Sequence, residues 1–323
     1  MRETNPLQPT VLEADKPFLA RLWIYQAERF PIFQHGLMIV TFTFSAIAYC
    51  RICRGQTDFV TLPDFAVGAM TSFGFFLLLR LLDEFKDAKE DAAFRPYRPV
   101  PRGLVKLKEL GWLAVGVVLL QVAINWFVLP KMLWAYGIGL GFIAVMTKEF
   151  FVSKWLKSHP IVYMLSHMAV MPVIDFYTTG LDWINAGAKA PEGLLFFLLV
   201  TFLNGLVIEI GRKIRAEEAE EQGVETYSFL WGAKKATVVW LGLLVLTFVI
   251  ANLASYFAGF GNQAILGFVG LLVGCAMPAL KFLKTNAQPD AKKIELAAGI
   301  WTIGMYLTLG AVPMLIALFK GGS

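Results

Sequence analysis

The chain has 323 residues, of which 57% are hydrophobic and only 16% are charged, and its mean hydropathy is +0.61. A soluble globular domain carries roughly a quarter charged residues, so this composition excludes an ordinary soluble protein and indicates a membrane protein. The formal net charge of +5 comes from basic residues that border apolar segments. It therefore gives no support to nucleic-acid binding and fits topology signals and contacts with anionic membrane lipids.

The first part of the chain is polar, and nine apolar segments follow it. Residues 1–28 lack the apolar core of a secretory signal, so we interpret them as an N-terminal segment that is retained. A membrane span needs about 20 mostly apolar residues. The predicted spans are 31–51, 63–84, 107–129, 132–151, 160–180, 192–211, 235–257, 262–283 and 294–319. We therefore expect an all-α integral membrane protein that forms one domain over 1–323.

Basic residues are concentrated in the loops after the even-numbered segments. These loops contain Lys86, Lys89, Arg95, Arg98, Arg102, Lys154, Lys157, Arg212, Lys213, Arg215, Lys284, Lys292 and Lys293. The loops on the opposite side carry few basic residues. Under the positive-inside rule, this asymmetry predicts that the N-terminal segment and the even-numbered loops are cytoplasmic and that the C-terminus is outside. The expected location is a bacterial plasma membrane.

A stripe of aspartates marks the end of the second apolar segment. Asp83, Asp87 and Asp91 recur every four residues, a spacing that places them on one face of a helix. Such like charges repel one another unless cations lie between them, and carboxylate oxygens are ligands for Mg²⁺. Arg95 and Arg98 follow, and guanidinium groups suit bidentate recognition of phosphate. The segment therefore predicts a site for a metal-bound diphosphate at a membrane surface.

A second polar stripe follows the sixth apolar segment. Asn204 and Glu209 lie within or at the edge of that segment, where polar side chains are costly and usually face a cavity. Glu209, Lys213, Glu217 and Glu221 are four residues apart and can share a helical face. Taken alone, a solvated helix end stabilised by oppositely charged neighbours explains this stripe better than a metal site. Its expected position on the same side as the first stripe favours the metal site.

Taken together, these motifs resemble those of the UbiA superfamily of intramembrane prenyltransferases. That family has nine transmembrane helices and two acidic motifs, after the second and the sixth helix. Its first motif, Asn-x-x-x-Asp-x-x-x-Asp followed by Arg-Pro-x-Pro-x-Gly, is similar to Asp83, Asp87 and Asp91 followed by Arg98-Pro99-Val100-Pro101-Arg102-Gly103. Asp83 stands where the family usually has Asn, which keeps an oxygen ligand.

The second motif resembles the family pattern less closely. The family commonly has Gly-x-x-Thr-Leu-Pro-x-x-x-Gly, and this chain has Gly223-Val224-Glu225-Thr226-Tyr227-Ser228-Phe229-Leu230-Trp231-Gly232. Ser228 replaces the proline. Upstream, this chain offers glutamates where the family has aspartates, and the sequence alone does not say which of them take their place.

The resemblance implies a bundle of about nine helices around an apolar cavity that cytoplasmic loops cap. It implies a Mg²⁺-dependent prenyltransferase that ionises a polyprenyl diphosphate and transfers the prenyl group to a lipophilic acceptor, typically aromatic in this family. The implied catalytic and metal-binding residues are Asp83, Asp87 and Asp91, with Glu217 and Glu221 as further metal ligands. The implied diphosphate-binding residues are Arg95, Arg98, Lys148, Lys154 and Arg212, and Asn204 and Glu209 are cavity candidates.

Two other functions fit some of these features. A terpene cyclase on the same scaffold would ionise the same donor but use no acceptor. A transporter or non-catalytic cation-binding protein would also use acidic residues, but transporters tend to place charged sites near the bilayer midplane. Here the acidic stripes lie at helix ends beside arginines, which favours a diphosphate enzyme.

Overall fold

The structure is a computed structural model that describes residues 13, 15–56, 58–221 and 223–321. Within this part of the chain the regular structure is helical and contains no β-strand. The helices are α1 (Phe18–Arg29), α2 (Ile32–Cys53), α3 (Leu62–Lys86), α4 (Ala88–Phe94), α5 (Leu107–Val128), α6 (Leu133–Thr147), α7 (Ser153–Lys157), α8 (Pro160–Met168), α9 (Val170–Trp183), α10 (Leu194–Gly211), α11 (Tyr227–Trp231), α12 (Ala233–Phe257), α13 (Gly261–Thr285), α14 (Gln288–Tyr306) and α15 (Val312–Gly321). The expected all-α membrane fold is confirmed.

The number of long spans differs slightly from the expectation of nine. In the described residues, eight helical stretches are long and apolar enough to cross a membrane, counting α8 with α9 and α14 with α15 as one stretch each. The segment predicted at 132–151 instead forms α6, which has only 15 residues. At about 1.5 Å per residue, α6 is roughly 22 Å long. Its length is limited by Pro130 before it and by a left-handed turn after it.

In the bundle, helices pack against their neighbours in the sequence and also against helices that are distant in the sequence. α13 packs between α12 and α14, and α10 packs against α12 and α14. α2 packs against α3, α9 and the π-helical turn Leu307–Ala311, and α3 packs against α5. Where α2 meets the π-helical turn, the two backbones come very close, because a Cβ on Gly310 would lie 2.1 Å from the carbonyl oxygen of Ser45. Only glycine therefore allows this approach.

The outer face of the bundle is apolar and exposed. Phe127 on α5 and Leu266 on α13 expose 82% and 77% of their surface. A soluble protein does not expose many such side chains together, whereas a helix bundle in a bilayer presents them to lipid. The protein is therefore an integral membrane protein that crosses the bilayer several times.

Hydrogen bonds between side chain and backbone hold the buried helices in register. The indole Nε1 of Trp240 on α12 donates to the carbonyl oxygen of Val207 on α10 at 2.9 Å. Tyr49 on α2 is fully buried, and its hydroxyl lies 3.0 Å from the carbonyl oxygen of Gly193 and 2.9 Å from that of Ala254. These contacts tie α10 to α2 and α12, so the helix that leads into the second motif is fixed within the bundle.

Candidate active site

A polar cavity of about 540 Å³ lies where α3 and α10 end and α8 begins. Its wall combines residues from the first motif, from the second motif and from the chain between α6 and α8. Of the predicted site residues, it brings together Asp83, Asp87, Arg95, Arg98, Arg212 and Glu221. The two motifs, more than 100 residues apart in the sequence, thus share one cavity.

Asp83 and Asp87 lie on this wall near the end of α3. α3 ends at Lys86, and Asp87 is its C-cap, with φ −92° and ψ 0°. Among the described residues, neither carboxylate makes a hydrogen bond or an ion pair from its side chain. Burial, and next the negative charge of Asp83, raise the pKa of the Asp87 carboxyl group above its ordinary value. The pair therefore has the chemistry of a cation-binding site.

Asp91 takes a different position from the other two aspartates. The break at Asp87 separates α3 from α4, so the prediction that all three share one continuous helical face is wrong. Asp91 is 2% exposed and does not line the cavity. Its carboxylate instead accepts hydrogen bonds from Arg95, at 3.0 Å, and from Arg98, at 2.6 Å. In this structure Asp91 positions the two arginines that face the cavity, and its role as a metal ligand stays a prediction.

The second motif is also interrupted. α10 ends at Gly211, and Glu217 begins a separate short 3₁₀ turn. The prediction that Glu209, Lys213, Glu217 and Glu221 share one helical face is therefore wrong, because the helix ends before Lys213. Glu209 is buried and accepts a hydrogen bond from Arg212 at 2.8 Å. Its other oxygen lies 2.8 Å from Lys213 Nζ.

The two glutamates predicted as further metal ligands differ in position. Glu221 lines the cavity and forms an ion pair with Arg215 at 2.9 Å, whereas Glu217 is exposed and lies outside the lining. Asn204 is fully buried on α10, and its amide atoms have no hydrogen-bond partner among the described residues. It lies five residues before Glu209, about 7 Å along the helix axis.

Of the three lysines between the predicted fourth and fifth spans, Lys157 lines the cavity and the other two do not. Lys148 and Lys154 are exposed and do not line it. Lys157 does line it, and its Nζ lies 2.9 Å from Glu90. The chain leaves α6 through a left-handed turn, which directs Lys148 outward and brings the next residue, Glu149, to the cavity wall.

This left-handed turn is the most strained backbone in the described part of the chain. Three consecutive residues other than glycine, Glu149, Phe150 and Phe151, have φ angles of 49°, 53° and 62°. Each such residue costs about 1 kcal/mol or more. Phe150 packs against Phe142 and His167, with ring centroids 5.8 Å and 5.9 Å apart. Packing thus stabilises a conformation that the local sequence does not favour.

Several cavity residues were not identified as site candidates from the sequence. Arg80 interrupts an apolar run one turn before Asp83, and a charge within a span is a functional signal. Lys86 lies between Asp83 and Asp87, and its Nζ contacts the hydroxyl of Tyr163 and lies 3.2 Å from His167 Nε2. Tyr163 and Tyr227 gave no sequence signal, because nothing distinguishes them from packing residues.

Basic residues outnumber acidic residues on the cavity wall. Positive charge in a partly buried cavity attracts anions, and arginine pairs suit phosphate oxygens. Within the described residues, no group of three or more His, Cys, Asp or Glu side chains is arranged to hold a metal by itself. Mg²⁺ does not require such a group, because it is usually bound by one or two carboxylates together with substrate phosphates. The cavity therefore fits a diphosphate with a divalent cation.

Comparisons with known proteins agree with this geometry. The model of the UbiA prenyltransferase family matches residues 38–310. Digeranylgeranylglyceryl phosphate synthase of Thermococcus kodakarensis is 27% identical over 240 residues, which cover 73% of this chain and 79% of that protein.

Two solved structures have the same fold. One comes from a study of digeranylgeranylglyceryl phosphate synthase in membranes. It has a TM-score of 0.60 and 16% identity and covers 93% of this chain and 99% of that one. The other is a UbiA homologue from Aeropyrum pernix, with a TM-score of 0.61, 14% identity and coverage of 86% and 97%. The family match extends over most of the chain, and we conclude that this protein belongs to the UbiA prenyltransferase family.

Proposed function

We propose that this prenyltransferase ionises a polyprenyl diphosphate in a Mg²⁺-dependent reaction and transfers the prenyl group to a lipophilic acceptor. The observation that carries the proposal is the cavity that joins Asp83 and Asp87 to the arginines of both motifs. It lies at one end of an apolar bundle, so a diphosphate bound there would have its prenyl chain directed toward lipid-like surroundings.

The basic and acidic residues of the cavity have different proposed roles in binding the donor. Arg95, Arg98 and Arg212 would donate hydrogen bonds to the diphosphate, and Asp91 and Glu209 hold these guanidinium groups in place. Asp83 and Asp87 would hold the Mg²⁺. Bound Mg²⁺ would neutralise negative charge on the departing diphosphate. Charge stabilisation by fixed donors requires little reorganisation during the reaction.

Two chemical classes of acceptor have support. Aromatic acceptors are typical of the family. The name of the Thermococcus kodakarensis relative supports a glyceryl phosphate lipid instead. The basic wall of the cavity suits an acidic acceptor as well as the donor. A terpene cyclase, which needs no acceptor, is the alternative activity on this scaffold.

The positive-inside bias supports a cytoplasmic position for the cavity, with the N-terminal segment on the same side. Both acidic motifs follow even-numbered predicted spans, which agrees with their common position in one cavity.

The test is Mg²⁺-dependent diphosphate release by purified protein in detergent from isoprenyl diphosphates of increasing chain length. Aromatic acceptors and an alkylglyceryl phosphate are added separately. We expect release that requires Mg²⁺, that is lost in Asp87→Ala and that yields a prenylated acceptor. Release without any transfer, accompanied by a cyclised donor, would favour the cyclase. No donor consumption, even with membrane lipid extract as the acceptor source, would contradict the proposal.

A further inference from the structure

Glu149 is a buried carboxylate on the cavity wall that donor binding does not use. Its side chain is 9% exposed, and its Oε1 atom has no hydrogen-bond partner among the described residues. The cation of Lys86 lies 3.8 Å from Oε1, beyond hydrogen-bonding distance. An unsatisfied buried carboxylate is costly, so a functional partner from outside the protein chain would explain it.

Lys86 does not satisfy this carboxylate because its ammonium group is engaged elsewhere. Its Nζ contacts the hydroxyl of Tyr163, lies 3.2 Å from Nε2 of His167, and is 4.9 Å from the centroid of the Tyr163 ring. These contacts hold the ammonium group on the α8 side. The Lys86 ammonium group therefore lies near Glu149 without hydrogen bonding to it and leaves its Oε1 lone pairs available.

The partner of Glu149 is constrained by charge. A carboxylate repels a diphosphate, so Glu149 is not suited to hold the donor's phosphate oxygens. It also does not join Asp83 and Asp87 in a group of three metal-ligating side chains within the described residues. A hydrogen-bond donor on the second substrate remains, because a carboxylate accepts hydrogen bonds and protons.

We propose that Glu149 binds a hydroxyl group of the acceptor and takes its proton during prenyl transfer. In this step the bond between C1 of the donor and the diphosphate oxygen breaks, and the diphosphate leaves with that electron pair. The acceptor oxygen forms a bond to C1, its O–H bond breaks, and the proton goes to Oε1 of Glu149. The inference rests on the proposed prenyl transfer and narrows the acceptor to a lipophile with a nucleophilic hydroxyl group.

The left-handed turn fixes the backbone position of Glu149. Positive φ angles at Glu149, Phe150 and Phe151 turn the chain sharply after α6. The backbone N–H of Val152 donates to the carbonyl oxygen of Glu149 at 3.0 Å, which closes the turn. The backbone that carries this carboxylate is therefore in place before the acceptor arrives.

The experiment distinguishes the effect of the Glu149 carboxylate on prenyl transfer from the effect of the backbone turn. Glu149→Gly removes the carboxylate but adopts positive φ readily, and Glu149→Gln keeps the size of the side chain. Glu295→Gln, an exposed residue on α14 away from the cavity, is the matched control for loss of charge. The donor is geranylgeranyl diphosphate, with membrane lipid extract as the acceptor source. Donor binding is measured with the thiolodiphosphate analogue, which resists ionisation.

We expect both Glu149 variants to bind the analogue like the wild type and to transfer the prenyl group at least ~100-fold more slowly, the usual scale of a lost general base. Added formate should restore at least ~10-fold of the lost rate to Glu149→Gly by supplying a small carboxylate. The wild-type product should be an ether. Glu295→Gln should behave like the wild type.

Three results would overturn the inference: unchanged transfer by Glu149→Gly, loss of analogue binding together with transfer, or a product prenylated only on carbon. The failure of the proposed function looks different. In that case the wild type itself releases no diphosphate in the presence of Mg²⁺, and both proposals are refuted together.

Discussion

The carboxylate of Asp91 holds the guanidinium group of Arg98 through one nitrogen, with Nη1 at 2.8 Å from Oδ1 and 2.6 Å from Oδ2. Asp91 is almost fully buried, whereas Arg98 reaches the cavity. The aspartate thus acts on the site through the arginine. This arrangement distinguishes it from Asp83 and Asp87, whose carboxylates form no ion pair with any residue that the structure describes.

Asp91→Asn should weaken donor binding and lower stability together. Removing one partner of a buried ion pair costs about 3 kcal/mol, because the guanidinium groups of Arg95 and Arg98 lose their fixed counter-charge. We expect a lower melting temperature and a KM for the donor raised by ~10-fold or more. Thermal unfolding in detergent and steady-state kinetics measure the two effects.

Glu90→Gln is the matched control for Asp91→Asn. It breaks the exposed ion pair with Lys157, which is worth about 1 kcal/mol or less. If Asp91→Asn changed the Mg²⁺ requirement as strongly as Asp87→Asn while leaving the melting temperature unaltered, direct metal binding by Asp91 would be the better explanation.

Arg212→Gln should raise the KM for the donor, whereas Lys148→Gln should not. Arg212 lines the cavity and is paired with Glu209, but Lys148 is exposed outside the lining. Loss of a charge-assisted hydrogen bond of about 2 kcal/mol corresponds to a ~30-fold weaker interaction with the diphosphate. Comparison of KM values for both variants tests whether the cavity, rather than the sequence position of basic residues, identifies the donor site.

The raised pKa of Asp87 predicts a pH-dependent stability in the absence of metal. Because the folded-state pKa lies above the unfolded value, ionised Asp87 opposes folding at neutral pH. This penalty disappears as the pH falls below the unfolded pKa. Asp87→Asn should therefore raise the melting temperature in EDTA near neutral pH and have a smaller effect at acidic pH. An equal effect at both pH values would show that the Asp87 carboxyl group is not perturbed in this way.

Gly310→Ala should destabilise the bundle, whereas Gly299→Ala should not. A Cβ at Gly310 would meet the backbone of Ser45, which has no side-chain freedom to move aside, so we expect a loss of about 2 kcal/mol or more. Gly299 lies within α14 and has open space around a Cβ. There alanine should gain up to about 1 kcal/mol of helix propensity. Opposite shifts in melting temperature would confirm the close contact between α2 and the π-helical turn.

Much of the fold follows from hydropathy, since apolar runs of about 20 residues leave few alternatives to membrane-spanning helices. The exception is 132–151, where Thr147, Lys148 and Glu149 interrupt the apolar run near its end and the helix is α6, with 15 residues. Hydropathy does not report a left-handed turn such as that at Glu149, because three residues other than glycine with positive φ have no local sequence preference that indicates it.

The site was predicted in outline but not in its detailed assignments. A four-residue spacing indicates a shared face only while the helix continues, and α3 ends before Asp91 while α10 ends before Glu217. The sequence therefore grouped residues that the structure separates. Arg80 and Glu149 each carried a usable signal as a charge within a predicted apolar segment, whereas Tyr163 is recognisable only from the tertiary structure.

The shortness of α6 has a consequence for the surrounding lipid. At roughly 22 Å, it falls about 8 Å short of a hydrocarbon core of about 30 Å. Such a hydrophobic mismatch is accommodated by local thinning of the bilayer or by polar groups that lie below the headgroup level. Headgroups would then sink toward Glu149 on this side of the bundle. The polar diphosphate group of the donor and a membrane-dissolved acceptor would thus meet at the same depth of the bilayer.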